Sequence, residues 1–427
     1  MSTLSSSPSL LVDREAWELA GNLLVPPPLG NVSDVFAPLE PLLDQLLVLN
    51  RQTKDQPFGP FPLADLLHFG LRLMERQWTA QEREGVRQAA NQWRREMVGD
   101  TVSYVVNRNL NPSNHCVLRC GFCAYRRSEG EEGAFRLERS TLREKAAEAQ
   151  ALGATELCLQ AGLDPDATTN GRHLDHAVAL LADLKEAAPR LHVHAFSPQE
   201  LLFISQRDNL PLRDVIQTLR QAGLNSVPGT AAEVLCPRVR HLICPEKLCA
   251  RTWVTVIRQV HQAGLPTTST LLAGHVETPR EQLAHLCTLA SLQQQAWLEG
   301  STGFTEFILL PFVGASAPAP LRARVGRDQP DPEAMLLLTA QARLLLGPWI
   351  RHHQSSWVKL TLPVAAEALD WGCDDLGGTL MEEHISTMAG AAGGTRQSVE
   401  ALKGAARSKH RPVRQRTTLY GATAASC

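Results

Sequence analysis

The stretch Asn114-His-Cys-Val-Leu-Arg-Cys-Gly-Phe-Cys-Ala-Tyr125 comes soon after a β-prone run at residues 102–109. It places Cys116, Cys120 and Cys123 at the spacing C-x3-C-x2-C. Three thiolates on one short loop can hold three irons of a four-iron cluster, which leaves the fourth iron open to a substrate or cofactor. An iron–sulfur protein built only for electron transfer normally supplies a fourth cysteine. A structural zinc site pairs two C-x2-C or His sets, and no second pair follows here. The remaining reading, three unrelated cysteines in a reduced protein, sits poorly with the spacing and with Phe122 directly before the third cysteine.

Outward from this loop the pattern repeats. β-prone runs at 102–109, 156–160, 192–196, 224–227, 267–271, 305–310, 353–357 and 373–376 alternate with longer stretches at helical period. Those stretches include 141–152, 174–188, 252–263, 280–298 and 332–346. Strand then helix, eight times over, predicts an α/β fold, a parallel TIM-type (β/α)8 barrel. In such a barrel chemistry sits at the C-terminal ends of the strands. The cysteine loop follows the first strand. Later strands end in polar or Gly-containing turns such as Gln160-Ala-Gly162, Phe196-Ser-Pro-Gln-Glu200, Val227-Pro-Gly-Thr230 and Leu272-Ala-Gly-His-Val-Glu277. These turns should surround one mouth with the cysteines at its rim.

Residues 1–100 read as a helical lead, apolar at helical spacing in 39–49, 63–74 and 78–97 and broken at Pro26-Pro-Pro28 and at 56–62. Its first residues read as disordered. Residues 101–390 form the barrel. Residues 391–427, rich in Gly, Ala and Arg, read as a C-terminal extension that is partly disordered.

A chain of 427 residues with 44% hydrophobic content can bury a sizeable core. Its formal net charge of −2 gives no overall basicity to attract nucleic acid or an anionic membrane. No apolar run reaches the ~18 residues of a membrane span, and the N-terminus lacks the basic start and long apolar core of a secretory signal. The ten cysteines form no regular framework, which points to a reducing cytoplasm. Cys158, Cys236, Cys244, Cys249, Cys287, Cys373 and Cys427 are expected to contribute no cluster ligand.

The cysteine spacing resembles that of the radical S-adenosylmethionine (SAM) superfamily. The resemblance implies that the open iron takes the amino and carboxylate groups of SAM. One electron then breaks the S–C5′ bond and yields a 5′-deoxyadenosyl radical. Phe122 is then placed to pack on adenine, with core packing as the alternative. Gln160 and Gly162, in a turn of small residues, can approach the cofactor through backbone groups. Ser197 and Glu200 can reach the SAM ribose or a substrate, but Ser197-Pro-Gln-Glu200 also fits a capping box. His192 and His194 share one face of their strand and read as packed core histidines. His275 and Glu277, just past the fifth strand, are candidate substrate contacts. Glu306 is not assigned a role, and the His352-His353 pair reads as structural. Arg108, Arg119, Arg126 and Arg127 flank the cysteine loop. They can guide a redox partner, hold a carboxylate or form a solvated face.

Longer motifs narrow the resemblance. Asn107-Arg-Asn-Leu-Asn111, His194-Ala-Phe-Ser-Pro198, Pro228-Gly-Thr-Ala-Ala-Glu233, Thr267-Thr-Ser-Thr270, Gly274-His-Val-Glu-Thr278 and Gly303-Phe-Thr-Glu-Phe307 are six of them. Gln354-Ser-Ser-Trp-Val-Lys359, Asp375-Leu-Gly-Gly-Thr-Leu-Met381 and Gln415-Arg-Thr-Thr-Leu-Tyr420 complete the set. With the cysteine segment they resemble the CofH family, the tyrosine-using half of deazaflavin FO synthase. Singly, several are shared with the menaquinone-pathway enzymes aminofutalosine synthase and dehypoxanthine futalosine cyclase. The resemblance implies cleavage of the Cα–Cβ bond of L-tyrosine. The 4-hydroxybenzyl unit then joins 5-amino-6-(D-ribitylamino)uracil. It also implies a CofG partner that closes the deazaflavin ring and a small electron-donor protein. Aminofutalosine synthase-like chemistry and a non-enzymatic iron–sulfur carrier are the competing readings. The Arg126-Arg-Ser-Glu-Gly-Glu-Glu-Gly133 stretch and the Ala-rich tail depart from the family pattern without touching the motif positions.

Overall fold

The computed structural model describes residues 11–30 and 38–423. The expected disorder of the first ten residues, and Cys427, lie outside them. Four lead helices come first: α1 (Arg14–Leu23), α2 (Leu39–Asp55), α3 (Leu63–Met74) and α4 (Ala80–Val98). Capping residues start α1 and α4, while α2 and α3 begin after Pro38 and Pro62. Thr79 and Glu82 form a reciprocal capping box at the start of α4. Leu39, Leu42, Leu43, Leu46 and Leu47, spaced by three and four, are the buried stripe of α2.

Nine short strands follow among the described residues: β1 (Val102–Val105), β2 (Asn107–Leu110), β3 (Glu156–Leu159), β4 (His192–Ala195), β5 (Thr267–Ala273), β6 (Phe304–Pro311), β7 (His352–Gln354), β8 (Asp375–Gly378) and β9 (Val413–Gln415). They form two all-parallel sheets, ordered β5-β6-β7-β8-β1-β9 and β2-β3-β4. Two isolated parallel bridges, His194 to Ser226 and Val227 to Thr267, link β4 to β5 through residues 224–227. Since β1 runs on into β2, the ring closes with eight strand positions.

Three features differ from the sequence reading. The first expected strand breaks at Val106. Its lower half pairs with β8 and β9, and its upper half pairs with β3. The fourth position, 224–227, is held by bridges alone. The third concerns the extension. Helix Val399–Arg407 leads into β9, which lies parallel to β1 with Val102 opposite Val413 and Tyr104 opposite Gln415. Arg416 N continues this ladder onto Tyr104 O at 2.8 Å. The Gly-, Ala- and Arg-rich composition gives no hint of this, because the pairing that holds the segment joins Arg416 to buried carboxylates far away in the chain.

One apolar core runs through the lead helices, the barrel helices and the strands. The barrel interior is different. Asn107, Glu156, His194, Thr268, Thr270 and Glu306 are all buried there. Polar groups so placed need partners or a ligand, so the centre of the barrel is a site rather than a packed core.

Candidate functional site

The loop after β2 carries Cys116, Cys120 and Cys123 as free, half-buried thiols. Its backbone is tied down on three sides. Cys116 N donates to Arg127 O (3.1 Å), Val117 N to Leu163 O (3.1 Å) and Gly121 N to Ile243 O (2.7 Å). Arg119 N donates to Glu246 Oε2 at 2.6 Å. Arg127 clamps the loop from beneath, donating to Ala124 O and Arg126 O at 2.8 Å each. Arg108 serves the barrel wall instead, held by Glu148 and Glu382. Gly162 explains how the β3 turn closes on this loop. A Cβ there would lie 2.0 Å from His115 O and 3.0 Å from Cys116 Cβ, so only glycine permits the approach.

Among the described residues no three His, Cys, Asp or Glu side chains converge on a single metal ion. A mononuclear site needs that convergence; a four-iron cluster does not, because each thiolate takes its own iron. Three soft thiolates on one strand-end loop, opening on a cavity, match the donor set of such a cluster. Burial pushes the Cys116 thiol up and the Cys120 thiol to about 12, with the Lys247 ammonium opposing the rise at Cys120. Ligation requires the thiolates, so iron loading releases protons.

The loop opens on a cavity of about 390 Å³ inside the barrel. All three cysteines, Phe122, Gln160, Gly162, Ser197 and Glu200 line it. Lys247 Nζ sits over the Phe122 ring, 5.1 Å from its centroid. Ser197 and Glu200 form the capping box of helix Pro198–Arg207: Ser197 N donates to Glu200 Oε2 at 2.8 Å and Ser197 Oγ at 2.7 Å. The same two residues face the cavity, so the cap and the wall are one structure. His192 and His194 share Ser226 Oγ at 2.6 and 2.7 Å, and His194 reaches the lining. The structure does not bring His275 and Glu277 to this cavity. Their side chains are buried against each other at 3.1 Å. Glu277 accepts from Gly274 N and His275 N, and His275 Nε2 lies 3.0 Å from Leu272 O. They brace the turn after β5.

Several cavity residues carried no individual signal in sequence. Asn107 donates to Glu156 Oε1 at 2.8 Å beneath the cavity. Lys247 pairs with Glu233 at 2.6 Å. Burial works to lower the Lys247 pKa, but Glu233 and the nearby thiols raise it above its ordinary value. Arg416 enters from the C-terminal extension and forms the floor. Its Nε lies 2.5 Å from Asp375 and its NH2 3.1 Å from Glu306. Tyr420 donates to Glu306, stacks on His352 at 3.6 Å and lies under the Arg416 guanidinium at 4.0 Å. Glu306, unassigned from sequence, therefore anchors the floor. Burial lifts the carboxyls of Glu200 and of Glu306 to about 7 each, although their hydrogen bonds and Arg416 pull the other way.

The radical SAM superfamily model matches residues 110–287. The chain is 59% identical over 340 residues to the 5-amino-6-(D-ribitylamino)uracil–L-tyrosine 4-hydroxyphenyl transferase of Synechococcus elongatus, covering 79% of this chain and 88% of that one. It is 55% identical over 346 residues to the enzyme of the same name from Cyanothece sp., covering 81% and 91%. Among solved structures it resembles methylornithine synthase (PylB) with a TM-score of 0.64 at 15% identity, over 87% of this chain and 97% of that one. It also resembles HydG, a maturase of the [FeFe]-hydrogenase, with a TM-score of 0.66 at 14% identity, over 96% and 82%. At such identities these two share the fold.

Proposed function

The chain belongs to the 5-amino-6-(D-ribitylamino)uracil–L-tyrosine 4-hydroxyphenyl transferases of the radical SAM superfamily, and from that premise we propose how its residues divide the reaction. It is a transferase of deazaflavin FO synthesis that moves the 4-hydroxybenzyl portion of L-tyrosine to 5-amino-6-(D-ribitylamino)uracil. The observation that carries the residue assignment is the opening of the three-cysteine loop onto one cavity whose wall carries several buried polar side chains. A carrier of electrons alone has no use for such a cavity, and relatives named as this transferase disfavour the aminofutalosine reading.

Cys116, Cys120 and Cys123 hold a four-iron cluster. With SAM bound, the cluster supplies reductive cleavage of the sulfonium and hence hydrogen abstraction from tyrosine. Phe122, backed by Lys247, forms the wall against which adenine packs. The backbone at Gln160 and Gly162, with Ser197 and Glu200, borders the remainder of the cofactor. Asn107, Glu156, His194, Thr268 and Thr270 offer donors and acceptors deeper in the barrel, suited to a uracil and a ribityl chain. A cavity of about 390 Å³ falls within the range of small-molecule sites. Its walls hold both substrates together, so capture of the benzyl unit is intramolecular rather than diffusional. A CofG-type partner, a small electron-donor protein and a cytoplasmic setting complete the proposal. No helix among the described residues is long and apolar enough to cross a membrane.

The test is an anaerobic reaction with SAM, a reductant, the ribitylaminouracil and L-tyrosine labelled at Cβ. The label should appear in a hydroxybenzyl adduct of the uracil, together with 5′-deoxyadenosine. Cys120→Ala should yield neither and bind less iron. Label confined to tyrosine or p-cresol, with SAM consumed, would overturn the coupling assignment.

A further inference from the structure

The cavity holds one cation that no described side chain pairs with directly. Five carboxylates line it, Glu156, Glu200, Glu233, Glu306 and Glu383, with four cationic side chains, Arg126, Lys247, Lys359 and Arg416. Lys247 is paired with Glu233, and Arg416 with Asp375 and Glu306. Arg126, at the rim, donates to Ser128 Oγ and lies 3.9 Å from Glu131. Lys359 Nζ alone of the four makes no hydrogen bond or ion pair among the described residues. Glu383 faces it electrostatically, with Glu233 and Cys123. The Glu383 carboxylate, however, is committed to the Ser386 and Thr387 amides at 2.8 and 3.3 Å.

The lysine is also held in place. It sits on the short helix Trp357–Leu360. Trp357, 1% exposed, donates its indole N–H to Gly378 O at 2.9 Å. Gly393 packs on the same turn so closely that a Cβ would lie 2.2 Å from Trp357 O and 2.4 Å from Val358 O. The ammonium is thus presented to the cavity from a fixed backbone. A half-buried cation on a cavity wall, partly withdrawn from water and without a direct partner, is costly and calls for an anionic ligand.

We propose that Lys359 binds the α-carboxylate of the amino-acid substrate. This rests on the transferase reading above. Of the three small molecules that reading requires, the uracil carries no carboxylate, and the carboxylate of SAM is taken by the open iron. The carboxylate of tyrosine is the one left unmatched. Pinning it fixes Cα and leaves the phenol end to point deeper into the barrel.

The experiment compares L-tyrosine with tyramine, which lacks the carboxylate, by equilibrium binding to the anaerobic, SAM-loaded enzyme. The parent enzyme should prefer tyrosine. Lys359→Met should lose tyrosine affinity by about tenfold or more, the usual scale for a charge-assisted hydrogen bond, and bind tyramine undiminished, which also shows that it folds. Lys359→Arg should keep the preference. Lys359→Gln makes the same comparison if the Met variant is not obtained folded. A Met or Gln variant that retains the full preference, or that loses SAM while tyrosine still outcompetes tyramine, overturns the assignment. Failure of the parent enzyme to bind tyrosine would instead count against the transferase reading itself.

Discussion

Glu200 does two things with one carboxylate: it closes a helix cap and it borders the cavity. The price appears in its acidity, which burial lifts from the ordinary 4.5 to about 7. The folded protein therefore holds this proton more tightly than the unfolded chain. The stabilisation is complete below pH 4.5 and is lost as the pH rises through 7. A shift of this size corresponds to about 3 kcal/mol. Gln at position 200 preserves a capping box and cannot ionise. Urea unfolding of Glu200→Gln beside the parent should show the variant gaining ground by up to that amount between pH 5 and 8. A gap that stays constant across this range would contradict the assigned burial. The capping half of this behaviour is legible in Ser197-Pro-Gln-Glu200. The other half is not, because it depends on how deeply the cavity wall is desolvated.

At the scale of elements, β9 and the turn after it matter most. Arg416 neutralises two buried carboxylates contributed by β6 and β8. Arg416→Met should cost about 3–5 kcal/mol, since it strands those charges. Adding Glu306→Gln should recover part of the loss, and thermal unfolding of the single and double variants measures both. Equal stability of parent and Arg416→Met would mean that the floor is not held by charge. The strands that carry a strong two-residue or apolar pattern, and the helices between them, are readable in sequence because each is specified locally. Residues 224–227 reach only two bridges, so the pattern there overstates a strand. As a strand β9 escapes reading, although the segment 415–420 stands out as a motif. The strand pairs with β1, at the other end of the barrel sequence, and the carboxylates that Arg416 meets beside it are 41 and 110 positions away, so no local period records these contacts. The three cysteines were visible through their spacing, whereas Lys247 stands alone in its segment and shows its place only when the chain is folded.

At the scale of the molecule, the lead helices are part of the same body as the barrel. Asn50 donates to Leu344 O at 2.9 Å, Gln341 to Leu73 O at 2.9 Å, and Arg280 pairs with Glu75 at 2.6 Å. Trp93 on α4 is fully buried in the common core. Trp93→Ala should cost about 3–5 kcal/mol and lower a single calorimetric transition. Two separated transitions, with only the first one shifted, would show a lead that melts alone. The floor strand has a further consequence, for synthesis. Arg411 meets Asp100 across 311 positions of chain, and β9 joins β1 from just beyond it. At about 5–20 residues per second, a ribosome takes on the order of tens of seconds to cover that distance. For most of that interval the thiols are already made while the chamber beneath them has no bottom, and Glu306 and Asp375, once made, wait 110 and 41 further positions for their arginine. Iron delivered to the nascent chain would meet an open vessel; the sealed one exists only after the final strand has left the exit tunnel.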